Sequence, residues 1–154
     1  MGAFALTVAS SRSAMAESTI KSDMAHPLYG FEAEPHVVAT PFQDGGGIGA
    51  GFAGTFVIKD DGFIGRLNDS IGVGFGANWT SNRDFVFSAA MQWNFWFTEH
   101  WSAFGEPGVA LDTHDGTNFW PSFGAGGRYA FSPSTALTLR LGFPMSSLGL
   151  SLFF

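Results

Sequence analysis

From Tyr29 onward the chain repeats one pattern, a bulky apolar side chain followed by a small or polar one, at a spacing of two residues. That period belongs to a strand whose two faces meet different surroundings. It predicts eight strands, over Tyr29–Thr40, Gly47–Ile58, Ser70–Trp79, Phe85–Thr98, Trp101–Asp112, Phe119–Phe131, Leu137–Phe143 and Ser147–Phe154. The third is the plainest, with Ile71, Val73, Phe75, Ala77 and Trp79 on one face and Gly72, Gly74, Gly76 and Asn78 on the other. The fourth sets Phe85, Phe87, Ala89, Met91, Trp93, Phe95 and Phe97 against Val86, Ser88, Ala90, Gln92, Asn94, Trp96 and Thr98. No segment carries a helical period. Between the strands lie clusters of turn residues, among them Gln43–Gly46, Ser81–Arg83, Thr113–Asn118 and Pro144–Ser146. Mostly short connections make the sheet antiparallel and up-and-down, and a meander of this length closes on itself, which removes its edges. The fold class is therefore all-β, an eight-stranded antiparallel barrel.

The pattern has exceptions. Pro35, Pro107 and Pro121 fall inside predicted strands, and proline cannot donate to a ladder, so each is expected to mark a bulge or a strand boundary. Trp120 sits on the small-residue face of the sixth segment.

Alternation alone does not say which face points outward; composition decides. Only 13% of the 154 residues are charged and 21 are glycine, against about 25% charged and roughly 7% glycine in an ordinary soluble domain. A soluble barrel needs charge on its outer face, yet the face opposite the large apolar residues is mostly glycine, alanine, serine and asparagine. Those small side chains fit the cramped interior of an eight-stranded barrel. The apolar face is then turned to lipid, where a closed barrel is the one strand architecture that satisfies every backbone group. Segments of this length match the roughly 9–11 residues a tilted strand needs to cross a bilayer. Aromatic residues fall at both ends of the strands, as transmembrane barrels require: Tyr29, Phe31, Phe56, Phe95, Phe97, Trp101, Tyr129, Phe131 and Phe154 at one, Trp79, Phe85, Phe119 and Phe143 at the other.

Residues 1–16 read as the remnant of a signal peptide, with an apolar block from Gly2 to Ala9 and a small-x-small site at Ala14-Met15-Ala16, although no Lys or Arg precedes the block. Residues 17–28 read as a tether and 29–154 as the barrel. A net charge of −6 with 7 Lys and Arg leaves no basic footprint for nucleic acid. The absence of cysteine removes disulfides, thiolate nucleophiles and cysteine–zinc sites.

The closing segment alternates Leu148, Leu150, Leu152 and Phe154 with smaller residues and ends on phenylalanine. It resembles the terminal strand of bacterial outer-membrane barrels, which the barrel-assembly machinery reads. With the other seven segments it makes the chain from Tyr29 to Phe154 resemble the small outer-membrane barrel family typified by the OmpA membrane domain and OmpX. The resemblance implies a place in the Gram-negative outer membrane, with its lipid and the assembly machinery as partners. It also implies short turns on the periplasmic side, where both termini lie. The connection Lys59–Asp69 departs from this, being long where the family is short, and is a candidate for periplasmic contact.

Charge on the small-residue face is the chemistry the pattern isolates. Glu32, Glu34, His36, Glu106, Arg128 and Arg140 all fall there, and charges in a narrow interior stay ionised only when paired. The expectation is an ion-pair network filling the lumen, in a barrel with a structural or surface-interaction role. A narrow channel for small solutes or ions is the alternative. A third class, a lipid-modifying barrel enzyme, requires a nucleophile, a base and an orienting acid together, and none of His26, His36, His100 and His114 lies two residues from a serine on a lipid-facing strand end. No catalytic residue, cofactor or metal site is predicted. Asp112, His114 and Asp115 lack the spacing of a calcium or zinc site, and Asp60-Asp61-Gly62 reads as a turn. Gly45–Gly51 lacks the lysine and helix of a phosphate loop.

Overall fold

A computed structural model describes residues 26–41, 46–81, 83–113 and 116–154. The segment read as a signal peptide and the segment read as a tether, as far as Ala25, lie outside the described residues, as do His114 and Asp115. Eight strands follow in chain order: β1 (Phe31–Ala39), β2 (Ile48–Lys59), β3 (Asp69–Thr80), β4 (Arg83–Trp96), β5 (Trp101–Asp112), β6 (Asn118–Ser132), β7 (Thr135–Phe143) and β8 (Ser146–Phe153). Each pairs antiparallel with its neighbours, and β1 pairs with β8 to close the barrel. The seam ends where the Gly30 N–H donates to the Phe154 carbonyl at 2.8 Å. This end is the terminal rim. The connections β2–β3, β4–β5 and β6–β7 lie there, and the other four lie at the far rim.

Burial is inverted relative to a soluble protein. Glu32, Glu34, Gln92, Asn94, Arg128, Thr138 and Ser151 are fully buried, whereas Phe52, Phe56, Phe75, Phe123, Leu139, Leu141 and Leu150 are exposed on the outer wall. Water does not leave phenylalanine outside and arginine inside, so a surrounding of acyl chains is the medium that fits this wall. Phe31, Phe56 and Phe154 cluster at the terminal rim, as do Trp101, Tyr129 and Phe131. Phe123 and Phe143 stack toward the far rim.

The prolines do not act as expected. Pro35 and Pro107 lie within strands with no shift of register beside them. On one side of each the ladder simply lapses: β1 to β8 lacks pairs at Glu34 and Pro35, and β5 to β4 lacks them at Glu106 and Pro107, each resuming in the same register. A strand between two neighbours directs alternate N–H groups to alternate sides, so a missing donor interrupts one ladder without inserting a residue. Pro121 lies where β6 outruns β7, whose pairing begins at Phe123, and the same overhang leaves Trp120 exposed. The register shifts fall elsewhere, at Val57/Lys59, Asn78/Thr80 and Ala130/Ser132, close to strand ends.

Strand β1 begins at Phe31, two residues later than the alternation indicates, and this relocates Tyr29. Its ring is not part of the rim girdle. It turns inward to stack on Phe153 at 4.4 Å.

Candidate functional site

The interior is built by inward positions of all eight strands, and its terminal end is closed by apolar residues. Trp96, Ala130, Ala136 and Phe153 form a buried cluster against which Tyr29 packs. His26 lies over the Trp96 ring, centroids 6.0 Å apart, and its Nδ1 is 2.6 Å from Asn68 Oδ1. The segment read as a tether thus folds under the barrel at its last residues. Burial with its hydroxyl unpartnered pushes the Tyr29 phenol up from its ordinary value.

Directly above lies Arg128, wholly buried. Its Nε and Nη2 donate to the two oxygens of Glu32 at 3.1 and 2.8 Å. Nη2 also donates to Gln92 Oε1 at 3.0 Å, and Nη1 to Asn94 Oδ1. Glu32 in turn accepts from Ser151 Oγ at 2.5 Å. A two-pronged ion pair with neutral amides at its flanks meets the condition for keeping charge out of water.

A second layer centres on Arg140, whose five N–H groups all find acceptors. Nε and Nη2 donate to Glu106 at 2.5 and 3.2 Å, Nη1 and Nη2 to Glu34 at 2.7 and 3.0 Å, and Nη1 also to Ser147 at 3.2 Å. His36 stands beside it, with Nδ1 3.3 Å from Glu34 Oε1 and Nε2 2.6 Å from Asn78 Oδ1. Glu34 and Glu106 outnumber Arg140, and His36 is the ring nearest to Glu34. Gln92 ties the layers together, donating from Nε2 to Glu106 at 2.5 Å.

Phe104 lies between the layers with its ring facing both guanidinium groups, 4.2 Å from Arg128 and 5.2 Å from Arg140. Both distances lie within the ~6 Å reach of a cation–π contact. The ring fits because β6 carries glycine opposite it: a Cβ on Gly126 would collide with Phe104. Likewise a Cβ on Gly51 would meet Asn78 and, at 2.7 Å, His36 Nε2. Beyond Arg140 a cavity of about 100 Å³ leads toward the far rim, lined by His36, Asn78, Ser88, Glu106, Ser122 and Ser147 among others.

The six residues singled out by charge therefore meet in two joined clusters: Glu32 with Arg128, and Glu34, His36 and Glu106 with Arg140. Sequence reasoning missed the neutral members, Asn78, Gln92, Asn94, Ser147, Ser151 and Phe104. Alternation placed Asn78, Gln92 and Asn94 on the inner face, but nothing uncharged was weighed as a partner. Leu148, Leu150 and Leu152 point outward from β8, and Phe154, just beyond it, is exposed too. The three described histidines are dispersed, His26 under the terminal rim, His36 in the lumen and His100 on the β4–β5 connection bonded to the Ala130 carbonyl. Among the described residues no group of three or more His, Asp or Glu side chains is placed to hold a metal ion.

No family model and no curated protein matches the chain. Solved structures do. A structure titled "De novo design of transmembrane beta-barrels" aligns with a TM-score of 0.59 at 15% identity, covering 82% of this chain and 98% of that one. The solution structure of the designed barrel TMB2.3 aligns at 0.53 and 19%, covering 82% and 95%. The crystal structure of Neisserial surface protein A (NspA) aligns at 0.46 and 15%, covering 81% and 97%. At such identities the likeness is one of fold, and the fold is that of an eight-stranded transmembrane β-barrel.

Proposed function

We propose that this is a barrel of a bacterial outer membrane with a structural or surface-interaction role, neither an enzyme nor an open pore. The observation that carries this reading is the sealed terminal end: Trp96, Phe153 and Tyr29 close it, and the Arg128–Glu32 pair lies buried above them. The cavity on the other side of Arg140 is a blind recess rather than half of a passage. Acyl transfer finds little support among the histidines, which stand apart. The alternating outward residues Leu148, Leu150 and Leu152 of β8, with Phe154 just beyond it, are the surface we assign to the assembly machinery.

Planar-bilayer recording tests the reading. The wild-type barrel should add no steady conductance, and a Trp96→Ala/Phe153→Ala double variant should add brief openings. A stable wild-type conductance would replace the proposal with the narrow-channel reading. A changed lipid A acylation pattern on expression would replace it with an enzyme. Localisation is tested by fractionation, in which the protein should run with the outer membrane and shift its gel mobility on heating.

A further inference from the structure

The β2–β3 connection, which alternation did not explain, is not a loop over the barrel mouth. It folds back on the outer wall. The Gly62 N–H donates to the Asp69 carbonyl and the Leu67 N–H to the Ile64 carbonyl, each at 2.8 Å, which makes the segment compact. The Phe63 ring meets Trp93 edge-on at 6.2 Å, and Trp93 packs on Phe95 at 4.9 Å along the outer face of β4. Two side chains on the outward register of β3 are covered as a result: Ile71 and Asp69 are 3% and 1% exposed, although Val73, next but one along the same face, is 48% exposed. The Trp93 indole donates to Asp69 Oδ2 at 2.7 Å, so the carboxylate on the outer wall has a partner and a roof.

What the flap shows to its surroundings is both greasy and charged. Phe63 and Ile64 are 68% and 41% exposed, and Lys59 and Arg66 beside them are exposed too. Lys59 Nζ lies 5.5 Å from the Phe63 ring centre. Asp60 and Asp61 are exposed on the same segment, but Asp60 is directed at His26 and Asp61 is engaged within the chain, which leaves Lys59 and Arg66 as the charges set beside the apolar pair. Aromatic and apolar side chains flanked by Lys and Arg, at the end of a lipid-facing band, match the chemistry of the bilayer interface, where rings seek the acyl boundary and cations the phosphates.

We propose that residues 59–67 form an interfacial flap that sinks Phe63 and Ile64 into the headgroup region at the terminal rim and sets Lys59 and Arg66 on the phosphates of anionic phospholipid. The proposal rests on the barrel spanning a membrane, and its test separates the two. Because the chain has no cysteine, single nitroxide labels can be placed by Phe63→Cys, by Leu139→Cys on the middle of the outer wall, and by Ser134→Cys on the short β6–β7 turn at the same rim. Collision with oxygen and with a water-soluble nickel chelate is then measured in phosphatidylcholine vesicles with and without phosphatidylglycerol. The Phe63 label should give an oxygen-to-nickel ratio several-fold above Ser134 and approaching Leu139, and Ile64→Cys should repeat it. Phosphatidylglycerol should raise that ratio, and Lys59→Gln/Arg66→Gln should cancel the rise. Nickel access at Phe63 and Ile64 equal to Ser134, with Leu139 protected, overturns the flap alone. Nickel access at Leu139 overturns the spanning barrel. Protection that ignores phosphatidylglycerol overturns the assignment of Lys59 and Arg66 to anionic lipid.

Discussion

The two halves of the lumen carry the same chemistry, an arginine held by glutamates, in opposite degrees of dryness. Arg128 and Glu32 are sealed beneath by Trp96 and Phe153, with side-chain exposures of 0% and 2%. Arg140 and Glu106 border the far-rim cavity and retain 15% and 12%. Pairing alone therefore does not determine what an ion pair contributes. Where no water can reach, the loss of one partner strands a charge; where a cavity adjoins, water can take the partner's place.

The variants that sharpen this contrast fall in order of size. Arg128→Met should destabilise the barrel most, by about 3–5 kcal/mol as for other broken buried pairs, in denaturant unfolding from detergent or vesicles. Joining it to Glu32→Met should restore much of the loss, since the stranded charge is then gone. Phe153→Ala should follow at roughly 3 kcal/mol, the lower range for emptying a buried aromatic site. Arg140→Met should lie lower, about 1–3 kcal/mol, because Glu106 borders the cavity and can be solvated, while buried Glu34 keeps His36 beside it. Equal losses for the two arginine variants would erase the distinction between the halves. Ser122→Ala, which only trims the cavity wall, should stay within about 0.5 kcal/mol.

Much of the barrel was legible in the chain because lipid and lumen impose a strict two-residue period. Strand β5 matches its predicted limits, and β2 is displaced by one residue at each end. The inward placement of Glu34, Arg128 and Arg140 followed from the same period. Which glutamate meets which arginine did not, since Glu32 and Arg128 stand on strands that are not neighbours and come together across the lumen. His26 was illegible because it folds under the barrel from a stretch with no period, and Tyr29 misled because it keeps the period of β1 although the strand begins only at Phe31. The flap was hidden likewise, since Phe63 and Ile64 look like any turn segment until Trp93 is placed beside them. The prolines misled because a lapsed ladder and a bulge leave the same mark in a sequence.

The seam between β1 and β8 has a consequence for assembly. Its partners, such as Glu32 and Phe153, are among the most distant in the chain, so the entropy of bringing them together is the largest any pair of strands faces. Until they meet, the growing sheet is an open ribbon with two hungry margins, each able to recruit a stray strand from another molecule. The last stitch of the cylinder is thus the step at which an escort protein would matter most, and a chain denied that escort should be lost as aggregate rather than as a misfolded monomer.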